Sequence, residues 1–322
     1  MGIGPARMDG GKGRMSGKVA FCFPGQGSLE AGMGREIAEV PEAMEIFERA
    51  SEAADLDLIR LAFDASELEL VDTELQQPAL IATSLAVLAA IRKRGIKPDF
   101  VVGHSVGEFA ALVAASALRV EEAVALVRER GIAMAEAAKW HPGSMAAILG
   151  LEDETVERIC RRILNVWPAN YNCPGQVVVS GEHASVDEAC ALAQAEGARR
   201  AVKLRVSGAF HSPLVARAAD RLRPALEKVK FTEPTAPFMS TVTARIEEAK
   251  RMGPLVLEQL TAPVRFTQSA QALMKEGVNT FVEVGPGNVL SGLVKRIDRS
   301  VRTISVNTPA GIDRLEETLG AV

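Results

Sequence analysis

Cysteine is scarce and unpaired in this 322-residue chain. Cys22, Cys160, Cys173 and Cys190 form no Cys-x-x-Cys pair, so their spacing offers neither a zinc site nor a disulfide framework, and buried free thiols are expected. An excess of positive charge is also missing. The 37 basic and 41 acidic side chains leave a net charge of −4, which excludes the domain-wide basic surface with which a nucleic-acid binder neutralises phosphates. No apolar run approaches the roughly 18 residues that a membrane helix needs. The first 18 residues lack the apolar core of a signal peptide, and Ala6 stands where a myristoylation signal wants Ser or Thr. These absences together predict a cytoplasmic protein with no membrane or nucleic-acid partner.

What is present is the composition of a globular protein with a sizeable core: 48% apolar and 24% charged residues over a length that suits about two domains. Residues 1–17, rich in Gly, Arg and Lys, read as a disordered N-terminal extension, with Met15 as an alternative start. Strand and helix then alternate. Lys18–Phe23 reads as a buried strand, followed by a glycine loop and a helical pattern through Val40; Pro41–Ala54 and 77–94 carry apolar residues at helical spacing, the latter ending at Gly95. A strand at 99–102 and helices at 108–117 and 120–138 complete a pattern that implies a mostly parallel sheet covered on both faces.

The pattern changes after Trp140. Strands at Ser144–Leu149, 176–180 and 201–204, helices at 152–163 and 186–196, and a further strand or turn at 170–174 resemble a split βαβ unit. The predicted fold class is therefore α/β: a parallel-sheet, α/β-hydrolase-like catalytic domain formed by 18–141 and 206–322, with a ferredoxin-like domain, 142–205, inserted into it.

The chemistry concentrates at Gly103-His104-Ser105-Val106-Gly107, which follows the apolar run Phe100, Val101, Val102 and opens an alanine-rich helical stretch. Strand, sharp turn and helix in that order make a nucleophile elbow, with the serine hydroxyl projected clear of the backbone. A serine needs a base within hydrogen-bond reach, and only four histidines exist. His104 adjoins Ser105 at a turn where neighbours point apart; His141 and His183 fall in polar loops of the insert and read as exposed. His211, in Ser207-Gly208-Ala209-Phe210-His211-Ser212-Pro213 between a strand and a helix, is the candidate base. Asp153, Asp187 and Glu188 lie between nucleophile and base in chain order but within the insert, so the partner of His211 is expected to be a neutral acceptor, either a backbone carbonyl or an amide side chain.

The loop Phe23-Pro24-Gly25-Gln26-Gly27-Ser28 is neither a Walker loop, lacking Gly-Lys-Ser/Thr, nor a dinucleotide fingerprint, since Glu30 replaces the last glycine. Two readings stand: a tight strand–helix turn, or an oxyanion hole in which the amides of Gln26 and Val106 hold developing negative charge. A similar turn at Val284-Gly285-Pro286-Gly287-Asn288 reads as structural.

Together, the Gln26 loop, the segment from Gly103 to Glu108 and Ala209-Phe210-His211-Ser212 resemble malonyl-CoA:acyl carrier protein transacylases. The segments 128–134, 172–178, Pro263-Val264-Arg265-Phe266 and Glu283-Val284-Gly285-Pro286-Gly287 are similar to that family too, and in its order, over roughly residues 18–308. The resemblance implies that Ser105 bears the acyl group, His211 is its base, Gln26 and Val106 form the oxyanion hole, Arg130 pairs with the free carboxylate of a malonyl unit, and Gln259 orients the histidine. By itself Arg130 would read as an exposed helix charge. The resemblance further implies malonyl-CoA as substrate, the phosphopantetheine thiol of an acyl carrier protein as acceptor, no cofactor or metal, and action as a monomer supplying fatty acid synthesis. Phe210 before the base favours malonyl over methylmalonyl units. A trans-acting acyltransferase of polyketide synthesis, a serine esterase or thioesterase, and a non-catalytic carrier-binding scaffold remain the alternatives.

Overall fold

The computed structural model describes residues 17–320, so the predicted extension and the alternative start at Met15 lie outside the described residues apart from Gly17. The ten strands among them are β1 (Lys18–Phe23), β2 (Phe100–Gly103), β3 (Ser144–Leu149), β4 (Val166–Cys173), β5 (Gln176–Gly181), β6 (Arg200–Lys203), β7 (Phe238–Ser240), β8 (Arg245–Glu247), β9 (Val278–Val284) and β10 (Arg302–Val306). Six of them form one sheet in the order β10-β9-β1-β2-β7-β8. All of its pairings are parallel except that of the edge strand β8.

Parallel strands need cover on both faces because the crossover helices pack there, and alternation along the strands divides the core accordingly. Phe21, Phe23, Val101, Val282 and Val284 face one layer, packed under the helices Pro41–Ala54, Thr73–Lys93 and Val120–Trp140. Ala20, Cys22, Phe100, Val102 and Phe281 face the other, packed with Phe266, Leu273, Leu290 and Val294.

Thr73–Lys93 corrects two expectations. It begins four residues earlier than the spacing suggested, because the Asp72 carboxylate caps it by accepting from the Glu74 amide. It is also long and apolar enough, by length and composition, to cross a membrane, yet 83% of that stretch is buried inside the protein. Pro78 sits within it and cannot donate to the Glu74 carbonyl; the Arg128 guanidinium supplies the missing donor at 3.1 Å. Elsewhere, the helix expected to run to Val40 is reduced to a single 3-10 turn, Ile37–Glu39, since Gly32 with φ 87° turns the chain before it. The short helices Leu58–Asp64 and Glu67–Val71 went unpredicted because neither is long enough to show a period. Cys190 is only half-buried, unlike the other three cysteines, all of which are free.

The second sheet is antiparallel in the order β4-β5-β3-β6, with Asp153–Arg162 and His183–Ala195 packed on one face. Its chain order, βαββαβ, and its strand order are those of a ferredoxin-like unit. His183 opens a helix rather than sitting in a loop, and both it and His141 are exposed. The strand β4 is longer than the segment foreseen at 170–174. It reaches out of its own sheet, with Tyr171 N donating to Val264 O and Val264 N to Ala169 O, each at 2.8 Å.

Removing a core ring should be costly. Phe21→Ala, at a position with no exposed surface, is expected to lower stability by about 3–5 kcal/mol, whereas Leu68→Ala, 84% exposed, should stay within about 0.5 kcal/mol, both read from urea unfolding midpoints.

Candidate active site

Ser105 sits between β2 and the helix Gly107–Ala114 with φ 52°, a left-handed conformation that costs a non-glycine residue on the order of 1–3 kcal/mol. The flanking glycines make the turn possible. A Cβ on Gly103 would lie 2.2 Å from the Glu108 amide nitrogen, and one on Gly107 2.2 Å from the Phe23 carbonyl oxygen. The turn is held by His104 N donating to Phe23 O at 2.9 Å and by the Gln259 side-chain amide donating to Ser105 O at 3.0 Å.

His211 shares the strained backbone, with φ 56°. Its loop is pinned by Ser212, whose hydroxyl donates to Ala209 O at 2.6 Å and accepts from Leu214 N, starting the 3-10 turn Pro213–Val215. The imidazole Nδ1 faces two backbone carbonyls, Gln259 O at 2.9 Å and Ala262 O at 3.1 Å. Carbonyls only accept, so Nδ1 carries the proton and the lone pair of Nε2 faces Ser105 Oγ at 2.8 Å. The serine hydroxyl therefore donates to a neutral imidazole, the geometry of a nucleophile with its general base. Burial, and after it the charge of Arg130, pushes the His211 pKa down to about 3.

Arg130, on Val120–Trp140, has no exposed surface. One nitrogen, Nη1, donates to Gln77 Oε1 at 2.5 Å; the other, Nη2, donates to Ser105 Oγ at 3.1 Å and Gln259 Oε1 at 3.0 Å. Burial brings its pKa down to about 10, which leaves it a cation at neutral pH. Gln259, at the end of Ala249–Glu258, thus joins the groups together. Its backbone oxygen holds His211, its side-chain oxygen holds Arg130, and its amide nitrogen serves both Ser105 O and Glu108. Of the amide and carbonyl alternatives for the histidine partner, the structure has backbone carbonyls, those of Gln259 and Ala262.

Gln26 borders the cleft beside Ser105, and Val106, fully buried, follows Ser105 in the chain. Neither backbone amide donates to a protein acceptor among the described residues, and the Gln26 side chain accepts from Thr73 Oγ1 at 3.3 Å. A cleft of about 260 Å³ opens above Ser105 and His211, lined by Gln26, His104, Asn170, Asn172, Met134 and Phe210 among others. His104 is turned away from the nucleophile, its Nε2 2.9 Å from Asn172 Oδ1. Among the described residues no three His, Cys, Asp or Glu side chains converge into a set fit for a metal ion.

Glu108 was not foreseen as a site residue. It is buried, and it accepts from Thr241 N, Thr241 Oγ1 and Gln259 Nε2; burial raises its pKa. The signal for it was a carboxylate one residue past the elbow at the start of an otherwise apolar helix. Gln77 and Thr73 were also missed. Gln77 Nε2 donates to Thr73 Oγ1 at 2.7 Å and so links Arg130 to the Gln26 loop.

The fold and the serine–histidine pair define an acyltransferase: residues 20–318 match the acyl transferase domain family. The chain is 45% identical to the malonyl CoA-acyl carrier protein transacylase of Bacillus subtilis over 94% of its own length and 97% of the relative's. The crystal structure of MCAT from Streptococcus pneumoniae superposes with a TM-score of 0.88 at 40% identity, covering 94% of this chain and all of that one. PlMCAT, solved in complex with the holo type II PKS acyl-carrier protein AntF, superposes with a TM-score of 0.90 at 37% identity over 94% of this chain and 99% of the other. The chain belongs to the family of malonyl CoA-acyl carrier protein transacylases.

Because its pKa is depressed, His211 should stay neutral as pH falls through the range in which an ordinary imidazole, near 6.5, takes up a proton. In ¹⁵N–¹H spectra of the imidazole the Nδ1–H tautomer should persist from pH 8 to 5. Protonation within that interval would contradict the assignment. The unfolded chain does protonate there, so acidification below about 6.5 favours unfolding through this group.

Proposed function

We propose that this acyltransferase moves a malonyl group from coenzyme A to the phosphopantetheine thiol of an acyl carrier protein through a malonyl–Ser105 ester, supplying fatty acid synthesis. The observation that carries the reading is the buried guanidinium of Arg130 beside the nucleophile. A cation kept out of water at the acyl position fits an acyl group that brings its own anion, and a bidentate Arg–carboxylate contact contributes on the order of 1.5–3 kcal/mol.

In the first half-reaction Ser105 Oγ attacks the thioester carbonyl as its proton passes to His211 Nε2. The carbonyl oxygen becomes an oxyanion, held by the Gln26 and Val106 amides; the C–S bond then breaks, and His211 returns the proton to the departing coenzyme A thiolate. The second half repeats the sequence in reverse. The pantetheine thiol gives its proton to His211 and attacks the ester, and Ser105 Oγ leaves and recovers the proton. Phe210 lines the cleft wall, where its ring leaves less room for the additional methyl of a methylmalonyl unit.

Ser105, His211, Arg130 and Gln259 come from one chain, which supports action as a monomer. A cytoplasmic location belongs to the same reading, as the compartment of coenzyme A thioesters. For the carrier we favour docking on basic residues near the cleft. Of these, Arg296 reaches the cleft-lining Gln176 at 2.6 Å, Lys203 pairs with Asp187, and Arg205 is exposed next to the cleft-lining Leu204. A carrier of polyketide synthesis is the second reading, which the structural likeness to PlMCAT favours.

Incubation with malonyl-CoA should add one malonyl mass to the enzyme and none to Ser105→Ala; an adduct on the variant would end the proposal. Product analysis separates transfer from hydrolysis, since an esterase would yield free malonate in place of malonyl carrier. Arg130→Ala is expected to lose about ten- to a hundredfold in malonyl transfer, while acetyl transfer gains relative to it. Equal losses for both acyl groups would remove the carboxylate role.

A further inference from the structure

One contact has no use in the chemistry above: Arg130 Nη2 donates to Ser105 Oγ, the nucleophile itself, at 3.1 Å, while that oxygen donates its proton to His211 Nε2 at 2.8 Å. Cation and base thus lie one oxygen atom apart, and both are buried. Among the described residues the Arg130 Nε–H, also buried, has no partner. Gln77, Ser105 and Gln259 therefore take three of the five N–H donors of the guanidinium, and the Nε–H is among those left over.

Among the groups that touch the imidazole none is negative, although the charge of Glu108 stabilises the Arg130 cation across Gln259. The Nδ1 side of the imidazole meets the neutral carbonyls of Gln259 and Ala262; His104 lies near enough to lower the His211 proton affinity further; and Glu108, the one carboxylate of the cluster, touches Gln259 and the 240–241 segment and makes no contact with the imidazole.

We propose that Arg130 gates the strength of His211 as a base: the unpaired guanidinium keeps it weak, and a carboxylate on the acyl group releases it by neutralising that charge and drawing the guanidinium off Ser105. The inference rests on the malonyl reading of the site. The physical basis is that two like charges separated by one atom in a dry site repel strongly, so protonating His211 beside a bare Arg130 is unfavourable. A carboxylate engaging the free Nε–H and one Nη makes a neutral pair, and the penalty falls. Base strength near the working pH sets the rate of proton transfer. An acetyl group fits the same cleft but leaves the cation bare, so it is discriminated against in turnover as well as in binding.

The test compares malonyl- and acetyl-Ser105 enzymes, each verified by mass spectrometry, in single-turnover transfer to free pantetheine from about pH 2.5 to 8, the acid points reached by pH jump so that the enzyme meets them only for the turnover. The ionisation of the thiol contributes equally to both profiles. The acid limb of the malonyl profile is expected about one pH unit or more above that of the acetyl profile, with a faster plateau. For the acetyl-enzyme, Arg130→Met, which removes the charge, should speed transfer and move the acid limb up. Superimposable malonyl and acetyl profiles in the wild type would overturn the gate whether or not the variant folds. Failure of malonyl-CoA to acylate Ser105 would instead end the functional reading on which it stands.

Discussion

A guanidinium without solvent is the constraint around which this molecule is organised. Removing a cation from water is expensive unless its donors are met, and at Arg130 three of the five are met, all by neutral groups: two glutamine side chains and the serine. Neutral acceptors keep the positive charge available, where a directly paired carboxylate would have cancelled it. The one nearby carboxylate, Glu108, is held a glutamine away and occupied by Thr241. The arrangement solvates the cation and leaves its charge for a ligand.

The fold supplies what that constraint demands. Gln77 and Thr73 come from the first turns of Thr73–Lys93, Arg130 from Val120–Trp140 packed against it, Ser105 from the end of β2, and Gln259 from the far end of the chain. No local segment builds the site. The strained turns at Ser105 and His211 persist because the surrounding contacts determine them from several sides, including the Gln259 amide on the Ser105 carbonyl and Ser212 on Ala209.

Much of this was legible from residue patterns, for reasons that can be named. The strands β1 and β2 announced themselves as short apolar runs next to glycine, whereas β7, three residues long, and β10, mostly half-exposed, gave no such run; the elbow showed as a serine between two glycines that meet backbone at 2.2 Å. The insert was visible as a change in the order of strands and helices. Arg130 was not legible by itself, because a charged residue on a long helix is ordinarily solvated; only likeness to a family pointed to it. Glu108, Gln77 and Thr73 escaped for a related reason. Their importance lies in partners 47 to 151 residues away in sequence, such as Gln26 for Thr73, Arg130 for Gln77 and Gln259 for Glu108, and no local spacing encodes such pairings. The short helices before Thr73 fell below the length at which a period can be seen.

The strand β4 carries a consequence of its own. It is hydrogen-bonded on one edge to its own sheet and on the other to Val264 of the larger unit, and Asn170 and Asn172, which line the cleft, belong to that doubly tied stretch. The two halves of the enzyme are thereby riveted through main chain at the wall of the substrate channel. A hinge that widened the cleft would have to break backbone hydrogen bonds in a buried place, so the bore of the cleft is set by main-chain hydrogen bonding, and traffic through it depends on what side chains can do within that frame.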